Sequence, residues 1–262
     1  MTFKPLPILM VAPNGARKGK KDHRELPISI ADTVAVAKEC FDAGADGLHL
    51  HVRDDSGLHS LDATLYKEAL KQLHDAAPSM TVQITTEAVG QYSPEQQRKV
   101  VRDVLPEHVS ISLAEMQADN NRESAATFYQ WCRQQNISVQ HILYGIDDLK
   151  LLHSLLEHGQ LINDDLQLLF VLGRYTENQQ SKPEDLRLFT DWLSKNDVLA
   201  DWALCAFGRN ESVCLQAGLE SGGKVRVGFE NSIWNADGTI AKDNCERVVS
   251  TKALVDEFYH VR

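Results

Sequence analysis

Eight short segments with the character of β-strands alternate with eight helix-like segments along the whole chain. The strand-like segments cover residues 7–13, 47–53, 81–87, 108–115, 138–145, 166–173, 201–208 and 224–231. The helix-like segments follow them at residues 30–45, 63–77, 94–105, 124–136, 147–159, 183–196, 210–222 and 243–260. Regular alternation of this kind predicts parallel strands joined by helical crossovers.

Eight strand–helix units are the number that closes a (β/α)8 barrel, the TIM barrel, which commonly forms one domain of roughly 250 residues. The chain has 262 residues, so we expect a single α/β barrel domain over residues 1–262. An open, doubly wound sheet is the structural alternative. The Gly-x-Gly-x-x-Gly sequence that commonly accompanies that fold does not follow the first predicted strand, and the closed barrel is therefore favoured.

Acidic side chains outnumber basic ones and give the chain a formal net charge of −10. This charge argues against a nucleic-acid partner, because the phosphate backbone attracts basic proteins. One short basic segment, ARKGKK at residues 16–21, interrupts the acidic composition. It has two interpretations, a solvated loop or a local site for an anionic ligand.

Scattered cysteines indicate where the protein works. Five are present, and they form no Cys-x-x-Cys pair, which argues against a disulfide framework and for a reducing compartment. The N-terminal segment lacks the apolar core of a signal peptide. No apolar run approaches the roughly 20 residues that span a bilayer. We therefore expect a cytoplasmic protein without a membrane partner.

Several predicted strands carry a polar face. In the third, Val82 and Ile84 alternate with Gln83, Thr85 and Glu87. Because one face of each barrel strand packs on helices, the polar face points toward the barrel axis. Polar groups buried without partners are costly. The polar face therefore predicts a site that binds water, a metal or a ligand.

The second predicted strand carries His49, His51 and, at its rim, Arg53 on one face. Side chains two residues apart on a strand lie roughly 6.6 Å apart, so two imidazoles at this spacing can converge on one ion. Glu230 ends the eighth predicted strand, which lies near the second once the barrel closes through the first. Two histidines and a carboxylate suit a catalytic Zn²⁺ with an open position. The sequence therefore predicts a metal site of His49, His51 and Glu230.

Other histidines are interpreted as structural or solvent-facing residues. His141 is on the helix-facing side of the fifth predicted strand. The rest of this group lies in loops (His23 and His59) or in helical segments (His153, His158 and His260), and His59 is also a candidate for lining the mouth of the barrel.

Five segments resemble the β-keto acid cleavage enzymes, a family that includes the 3-keto-5-aminohexanoate cleavage enzyme of lysine fermentation. They are APNGARKGKKDHRELP, GLHLHVRDDSGLHSLD, QITTEAVG, FVLG and GGKVRVGFEN. The resemblance covers nearly the whole chain, and its most specific parts are His-x-His-x-Arg and Arg-Val-Gly-x-Glu. It implies a barrel enzyme that uses a divalent metal, usually zinc, and acetyl-CoA. The implied reaction converts a β-keto acid and acetyl-CoA into acetoacetate and a shortened acyl-CoA.

The resemblance also implies site residues and assembly. It implies metal ligands at His49, His51 and Glu230, a catalytic role for Arg226, and a homo-oligomer such as a tetramer. Three positions depart from the lysine-fermentation enzyme, which has acidic residues where this chain aligns Asn231, Ile142 and Arg17. The chain resembles instead a shorter subgroup with the sequences ITTEAVG and FEN. An uncharged or anionic side chain on the substrate is therefore expected.

The remaining roles follow from position. We expect Arg226 to bind a carboxylate or developing negative charge, and Glu87 to replace the missing carboxylates as the base. The alternative for Glu87 is a salt bridge to Arg226 or Arg53. Candidate substrate-binding residues at the same rim are Asn14, Arg53, Thr85, Ser110, Ser112 and Asn231, each of which is alternatively a polar filler. Arg209 and Asn210 open the seventh predicted helix, whose N-terminus suits a phosphate of CoA.

Two other functions compete with this hypothesis. A metal-dependent hydrolase on the same barrel typically needs further His and Asp ligands, and the ends of strands five to seven (ILYG, FVLG and CAFG) offer none. A barrel that binds metal and ligand without turnover is kept open by Asn231 and Ile142.

Overall fold

Eight parallel strands close into a barrel in the computed structural model, which describes residues 4–259. The strands are β1 (Leu9–Val11), β2 (Gly47–Leu50), β3 (Thr81–Thr85), β4 (His108–Ser112), β5 (Ser138–Leu143), β6 (Gln167–Leu172), β7 (Asp201–Ala206) and β8 (Lys224–Val227). Strand β1 pairs with both β2 and β8, which closes the barrel. The predicted TIM barrel is confirmed.

Helices connect the strands. They are α1 (Ile30–Asp42), α2 (Ala63–Ala76), α3 (Pro94–Val104), α4 (Leu113–Met116), α5 (Arg122–Gln134), α6 (Ile146–Glu157), α7 (Arg187–Lys195), α8 (Glu211–Glu220) and α9 (Asn244–Tyr259). The predicted last helix extends to His260, which lies outside the described residues. No helix in residues 4–259 is long and apolar enough to cross a membrane.

Capping side chains fix where several helices begin. Ser29 accepts a hydrogen bond from the backbone N–H of Asp32, whose side chain accepts one from the backbone of Ser29, and α1 starts there. Ser93 and Gln96 form the same reciprocal cap on α3. Such caps satisfy N–H groups that the first helical turn leaves without partners.

The alternation of the strands separates two environments. Outward-facing side chains such as Leu48, Leu50 and Ile84 are fully buried in the main core between barrel and helices. One side of the barrel interior is apolar and contains Leu6, Ile142, Leu169, Val171, Ala203, Cys205 and Phe207. The other side contains the polar residues of β2, β3 and β8, and this is where the predicted metal ligands lie.

Every predicted strand ends earlier in the structure than the sequence indicated, and the difference is largest for the second, fourth and eighth. The second breaks at His51, and Val52–Arg53 leave the barrel to form a short antiparallel hairpin with His59–Ser60. The fourth ends at Ser112, because the Ser112 side chain caps α4. The eighth ends at Val227, because Gly228 adopts φ +133° and the chain turns. Glu230 therefore lies in a turn, and not at a strand end as predicted.

Candidate metal centre and active site

The three predicted metal ligands converge at the carboxyl end of the barrel. His49 lies in β2, His51 follows that strand, and Glu230 lies in the turn after β8. Their ligand atoms all lie within 4.8 Å of one another. The Nε2 atoms of the two histidines are 3.1 Å apart, and Glu230 Oε2 lies 3.6 Å from His49 Nε2 and 3.5 Å from His51 Nε2.

A chain of amides fixes the tautomer of His49. The Leu168 carbonyl accepts a hydrogen bond from Gln140 Nε2, so the side-chain oxygen of Gln140 faces Gln83 and accepts from its Nε2. The side-chain oxygen of Gln83 is then left to face His49 Nδ1, 3.0 Å away. Because that oxygen only accepts, the hydrogen of the neutral His49 ring is on Nδ1, and its Nε2 presents a lone pair.

A second chain fixes the tautomer of His51. His59 Nε2 donates to the Glu87 carbonyl at 2.8 Å, and burial lowers the pKa of His59 to about 3, so that ring is neutral. Its Nδ1 is therefore an acceptor, and it lies 3.4 Å from His51 Nδ1. His51 therefore carries a hydrogen on Nδ1, and Nε2 is the atom whose lone pair the neutral form of the ring offers to a cation.

These groups fit a divalent cation. Two imidazole lone pairs face each other at 3.1 Å, and the buried Glu230 Oε2 has no hydrogen-bond partner among the described residues. Lone pairs in this arrangement repel one another unless a cation lies between them. Two nitrogens and one carboxylate oxygen match a catalytic zinc site, and hydrogen bonds from the other ring nitrogens are usual at such sites.

The electrostatic environment keeps His49 and Glu230 in the protonation states that bind a cation. Burial, with the nearby Arg226 guanidinium, lowers the pKa of His49 to about 3. Burial alone would raise the pKa of the Glu230 carboxyl, but the adjacent Arg226 guanidinium outweighs it, and that pKa is held well below its ordinary value. A neutral imidazole and an ionised carboxylate are the forms that bind metals.

A cavity of about 120 Å³ opens beside the three candidate metal ligands. Its polar side includes Asn14, Thr85, Glu87, Arg174 and Arg226. Its apolar side is formed by Ile142, Tyr144, Val171 and Phe207. The cavity therefore suits a small molecule with a polar head near the metal ligands and an apolar wall opposite.

The two predicted catalytic residues both face this cavity. Arg226 donates to Glu230 Oε1 at 3.2 Å, and its Nε and Nη1 have no partner within residues 4–259. Glu87 lies two residues past β3, with Oε2 4.0 Å from His51 Nε2. The Glu87 carboxylate forms a salt bridge with Arg174 at 3.4 Å. The alternative prediction, a salt bridge to Arg226 or Arg53, was therefore wrong.

The predicted substrate-binding residues separate into two groups. Asn14 and Thr85 line the cavity, and Asn14 also donates to the carbonyls of Pro27 and His51. Ser110, Ser112 and Asn231 are buried outside its lining. Ser112 is used as a helix cap. Ser110 Oγ and both amide atoms of Asn231 have no partner within residues 4–259.

Arg53 lies outside the cavity lining, because the strand breaks before it. Its guanidinium donates to the carbonyls of Gly15, Lys18 and Gly57. The predicted CoA-binding residues are exposed. Arg209 stacks over the Trp234 ring at 3.7 Å, and Asn210 donates to the Ser181 carbonyl.

Some contributors were missed in the sequence. Arg174 and Tyr144 lie just after strand ends and carry no repeating pattern that marks them. Gln140 had a detectable signal, since it shares the inward parity of Ile142 on β5. In the basic segment, Arg17 and Lys18 line the cavity, whereas Lys20 and Lys21 are exposed outside it.

Comparison with known proteins agrees with this site. The model of the beta-keto acid cleavage enzyme family matches residues 7–260. The chain belongs to the β-keto acid cleavage enzyme family. The matched range contains all three candidate metal ligands and the whole cavity lining, so the predicted resemblance is confirmed and the chain is an enzyme of this family.

Two relatives of known name align over most of their length. The 3-keto-5-aminohexanoate cleavage enzyme of Acetoanaerobium sticklandii is 25% identical over 258 residues, which cover 96% of this chain and 92% of that protein. The 3-oxoadipate:acetyl-CoA acetyltransferase of Cupriavidus necator is 24% identical over 260 residues, which cover 96% of this chain and 89% of that protein. Both alignments include nearly all of the barrel.

Solved structures support the fold. The apo structure of ObcA superimposes with a TM-score of 0.67 at 15% sequence identity, over 87% of this chain and 61% of ObcA. The chain thus spans less than two thirds of that protein. This similarity supports the barrel architecture.

Proposed function

We propose that this enzyme cleaves a β-keto acid with acetyl-CoA, giving acetoacetate and a shortened acyl-CoA, with a divalent zinc ion at His49, His51 and Glu230. The observation that carries the proposal is the convergence of these three ligand atoms within 4.8 Å in a chain of this family. Relatives named for the cleavage of a keto acid and for acetyl-CoA transfer support the reaction class.

The metal supplies Lewis acidity when bound, which polarises the substrate oxygens and stabilises negative charge that develops on them. The residues around it supply orientation. Gln83 and His59 hold the two rings with Nε2 toward the metal position. The apolar wall of Ile142, Tyr144 and Val171 excludes water from the opposite side of the cavity.

Arg226 binds the substrate carboxylate in this proposal. Its Nε and Nη1 are buried donors that lack a partner in the described chain, while Nη2 contacts Glu230 and Cys205. A buried guanidinium with two free donors matches a carboxylate in a two-pronged geometry. The same charge stabilises oxyanions that form during acyl transfer.

Glu87 accepts the proton from the carbon between the keto and carboxylate groups. Its carboxylate faces the cavity and lies 4.0 Å from His51 Nε2, beside the position of a substrate bound there. The Arg174 guanidinium lies 3.4 Å from the Glu87 carboxylate. Asn231 is a neutral amide and cannot take the proton, which leaves Glu87 as the carboxylate of the cavity that does not bind metal.

The test is Glu87→Gln, which keeps the size of the side chain and removes the base. We expect kcat to fall by about 10²–10⁴-fold, while zinc content stays equal to that of the unsubstituted protein. Glu95→Gln, on an exposed position of α3, is the matched control. Near-normal turnover by the Glu87→Gln variant would exclude this role for Glu87.

The substrate tail in this proposal is uncharged or anionic. Ile142 and the neighbouring apolar residues offer no carboxylate to an ammonium group, and Arg17, Lys18 and Arg174 add positive charge at the mouth. Turnover of a panel of β-keto acids with neutral, anionic and cationic tails, followed by acetoacetate release, tests this. Hydrolysis without CoA would indicate a metal-dependent hydrolase, and binding without product would indicate a silent barrel.

The positions of two exposed residues suggest where CoA binds. Arg209 and Asn210 precede α8, whose N-terminal dipole favours a CoA phosphate. We also propose a cytoplasmic homo-oligomer, because the cysteines of the described chain are free thiols and the resemblance implies an assembly such as a tetramer. Sedimentation of the purified protein tests the assembly.

A further inference from the structure

We infer that Arg53 and Lys18 are positioning residues that hold the third metal ligand, Glu230, through the loop between β1 and α1. The loop comprises residues 12–29, and the turn that it contacts comprises residues 228–232. Neither cation binds a carboxylate directly within the described chain. Both donate to peptide carbonyls instead, and these carbonyls belong to the three loops around the metal ligands.

Contacts from the β1–α1 loop fix the backbone of Glu230 at both ends. The Glu230 N–H donates to the Ala12 carbonyl at 3.0 Å, and Lys18 Nζ donates to the Glu230 carbonyl at 3.2 Å. Lys18 also donates to the Phe229 carbonyl at 2.8 Å. The turn is thereby held at three consecutive points by one loop.

The side chain of Glu230 is held by the same loop. A Cβ atom added to Gly15 would lie 2.5 Å from Glu230 Cγ, so the glycine backbone is packed directly against the methylene groups of the carboxylate side chain. Gly15 has φ +62°, a conformation that glycine adopts readily. The direction in which the Glu230 carboxylate points therefore depends on where this loop lies.

Arg53 holds the loop at two of its carbonyls, beside the hydrogen bonds with which Asn14 and Asn244 also hold it. Its Nη2 donates to the carbonyls of Gly15 and Lys18, and its Nη1 donates to Gly57 in the hairpin that follows β2 at 3.0 Å. The planar fork of a guanidinium can reach two loops at once in a fixed geometry, which a single ammonium cannot do. Arg53 thus joins the histidine-bearing segment to the loop that holds Glu230.

Arg53 is separated from the substrate cavity by this arrangement. It does not line the cavity, and it is buried with 7% of its surface exposed. The place of Arg53 in the His-x-His-x-Arg sequence suggests that it binds substrate. We assign it instead the indirect role of positioning Glu230 through the loop. Lys18 does border the cavity, but its ammonium group is engaged by the two carbonyls of the turn.

The test measures zinc binding to the folded, metal-free protein by competition with a chromophoric chelator. Arg53→Met and Lys18→Met should each lower zinc affinity about 10–100-fold, the effect usual for residues that orient a metal ligand. Arg53→Lys should behave like Arg53→Met, because the charge remains but the fork is lost. Arg24→Met and Lys21→Met, both on exposed positions of the same loop, are the matched controls.

A double-substitution cycle separates positioning from general damage. If both residues act through Glu230, adding Arg53→Met or Lys18→Met to Glu230→Ala should cause no further loss of zinc affinity. If Arg53→Met or Lys18→Met lowered zinc affinity further in the Glu230→Ala variant, the inference would be overturned. Unchanged zinc affinity in the Arg53→Met and Lys18→Met single variants would also overturn it.

Amide hydrogen exchange provides a second readout that needs neither zinc nor substrate. In the metal-free protein, exchange at Glu230 should accelerate about tenfold in both the Arg53→Met and the Lys18→Met variant, because the turn is released from the loop. This measurement decides the inference even if the unsubstituted protein shows no turnover or takes up no zinc. Unchanged exchange at the turn would show that the two cations do not hold it.

Discussion

The side-chain oxygen of Gln83 lies 3.0 Å from Nδ1 of His49 and accepts its hydrogen bond. Gln83 is itself oriented by Gln140, which is oriented by a backbone carbonyl of β6. The tautomer of a candidate metal ligand in β2 is therefore fixed by a strand on the opposite side of the barrel.

We expect Gln83→Met to lower zinc affinity about 10–100-fold, since His49 loses the acceptor that keeps its hydrogen on Nδ1. Calorimetric zinc titration of the metal-free protein measures the change. Gln216→Met, on an exposed position of α8, is the control. Equal affinities for the Gln83→Met and Gln216→Met variants would contradict the proposed role of the amide chain.

Much of the geometry of the candidate metal centre was predictable from the sequence. The alternation of β2 places His49 on the inner face, and closure of the barrel makes β1 the shared neighbour of β2 and β8. These two regularities bring the segments that carry His49, His51 and Glu230 to the same end of the barrel, although His51 and Glu230 lie just past their strands. They are properties of strand geometry and strand order, which a sequence pattern carries.

Other parts depended on contacts between loops, which no local pattern records. Arg53 was expected at the rim of the barrel, but the chain leaves the sheet after His51 and its guanidinium turns to three backbone carbonyls. Arg174 follows β6 and reaches Glu87 across the cavity, a pairing between residues 87 positions apart. Interactions of this kind follow from the completed fold.

A buried ion pair outside the candidate site is expected to contribute to the free energy of unfolding. Glu211 in α8 and Arg247 in α9 are almost fully buried, with Glu211 Oε2 2.6 Å from Arg247 Nη2. Arg247→Met leaves the glutamate buried without its cation, and we expect a loss of about 3–5 kcal/mol in the free energy of unfolding.

Urea denaturation measures this loss. Lys38→Met, which breaks an exposed pair with Asp42 in α1, is the control and should cost less than about 1 kcal/mol. If the two variants were equally stable, the buried pair would not contribute as its burial indicates.

The pH dependence of the unfolding free energy tests whether the buried ring of His141 is kept neutral by the fold. Its ring is buried against Tyr129, with ring centroids 5.0 Å apart, and burial lowers its pKa to about 3. In the unfolded chain this pKa is about 6.5, so the unfolded state binds the extra proton between these values. The contribution of His141 to the free energy of unfolding is fully present above about pH 6.5 and is lost as pH falls toward about 3.

His141→Phe keeps a flat ring and removes the titration. Between pH 7 and pH 5, its unfolding free energy should fall by about 2 kcal/mol less than that of the unsubstituted protein, since one pKa unit corresponds to about 1.4 kcal/mol. Urea denaturation at the two pH values measures this, with exposed His158→Phe as the control. If the unfolding free energies of the His141→Phe variant and the unsubstituted protein had the same pH dependence, His141 would take up its proton in the folded state as readily as in the unfolded chain.

The apolar wall of the cavity predicts how substrate preference can be changed. Ile142 is 8% exposed, faces the cavity from β5, and contributes no charge to it. Ile142→Glu introduces a carboxylate opposite the metal ligands, where it attracts an ammonium group on the substrate tail and repels an anionic one. We expect the ratio of kcat/KM for 3-keto-5-aminohexanoate over its unaminated analogue to rise at least about tenfold, a differential stabilisation of about 1.4 kcal/mol. Ile142→Gln, which has the same size without the charge, should leave this ratio within about twofold of the unsubstituted value. If the Glu and Gln substitutions changed the ratio equally, residue 142 would act through the shape of the cavity, and its missing charge would not explain the substrate tail.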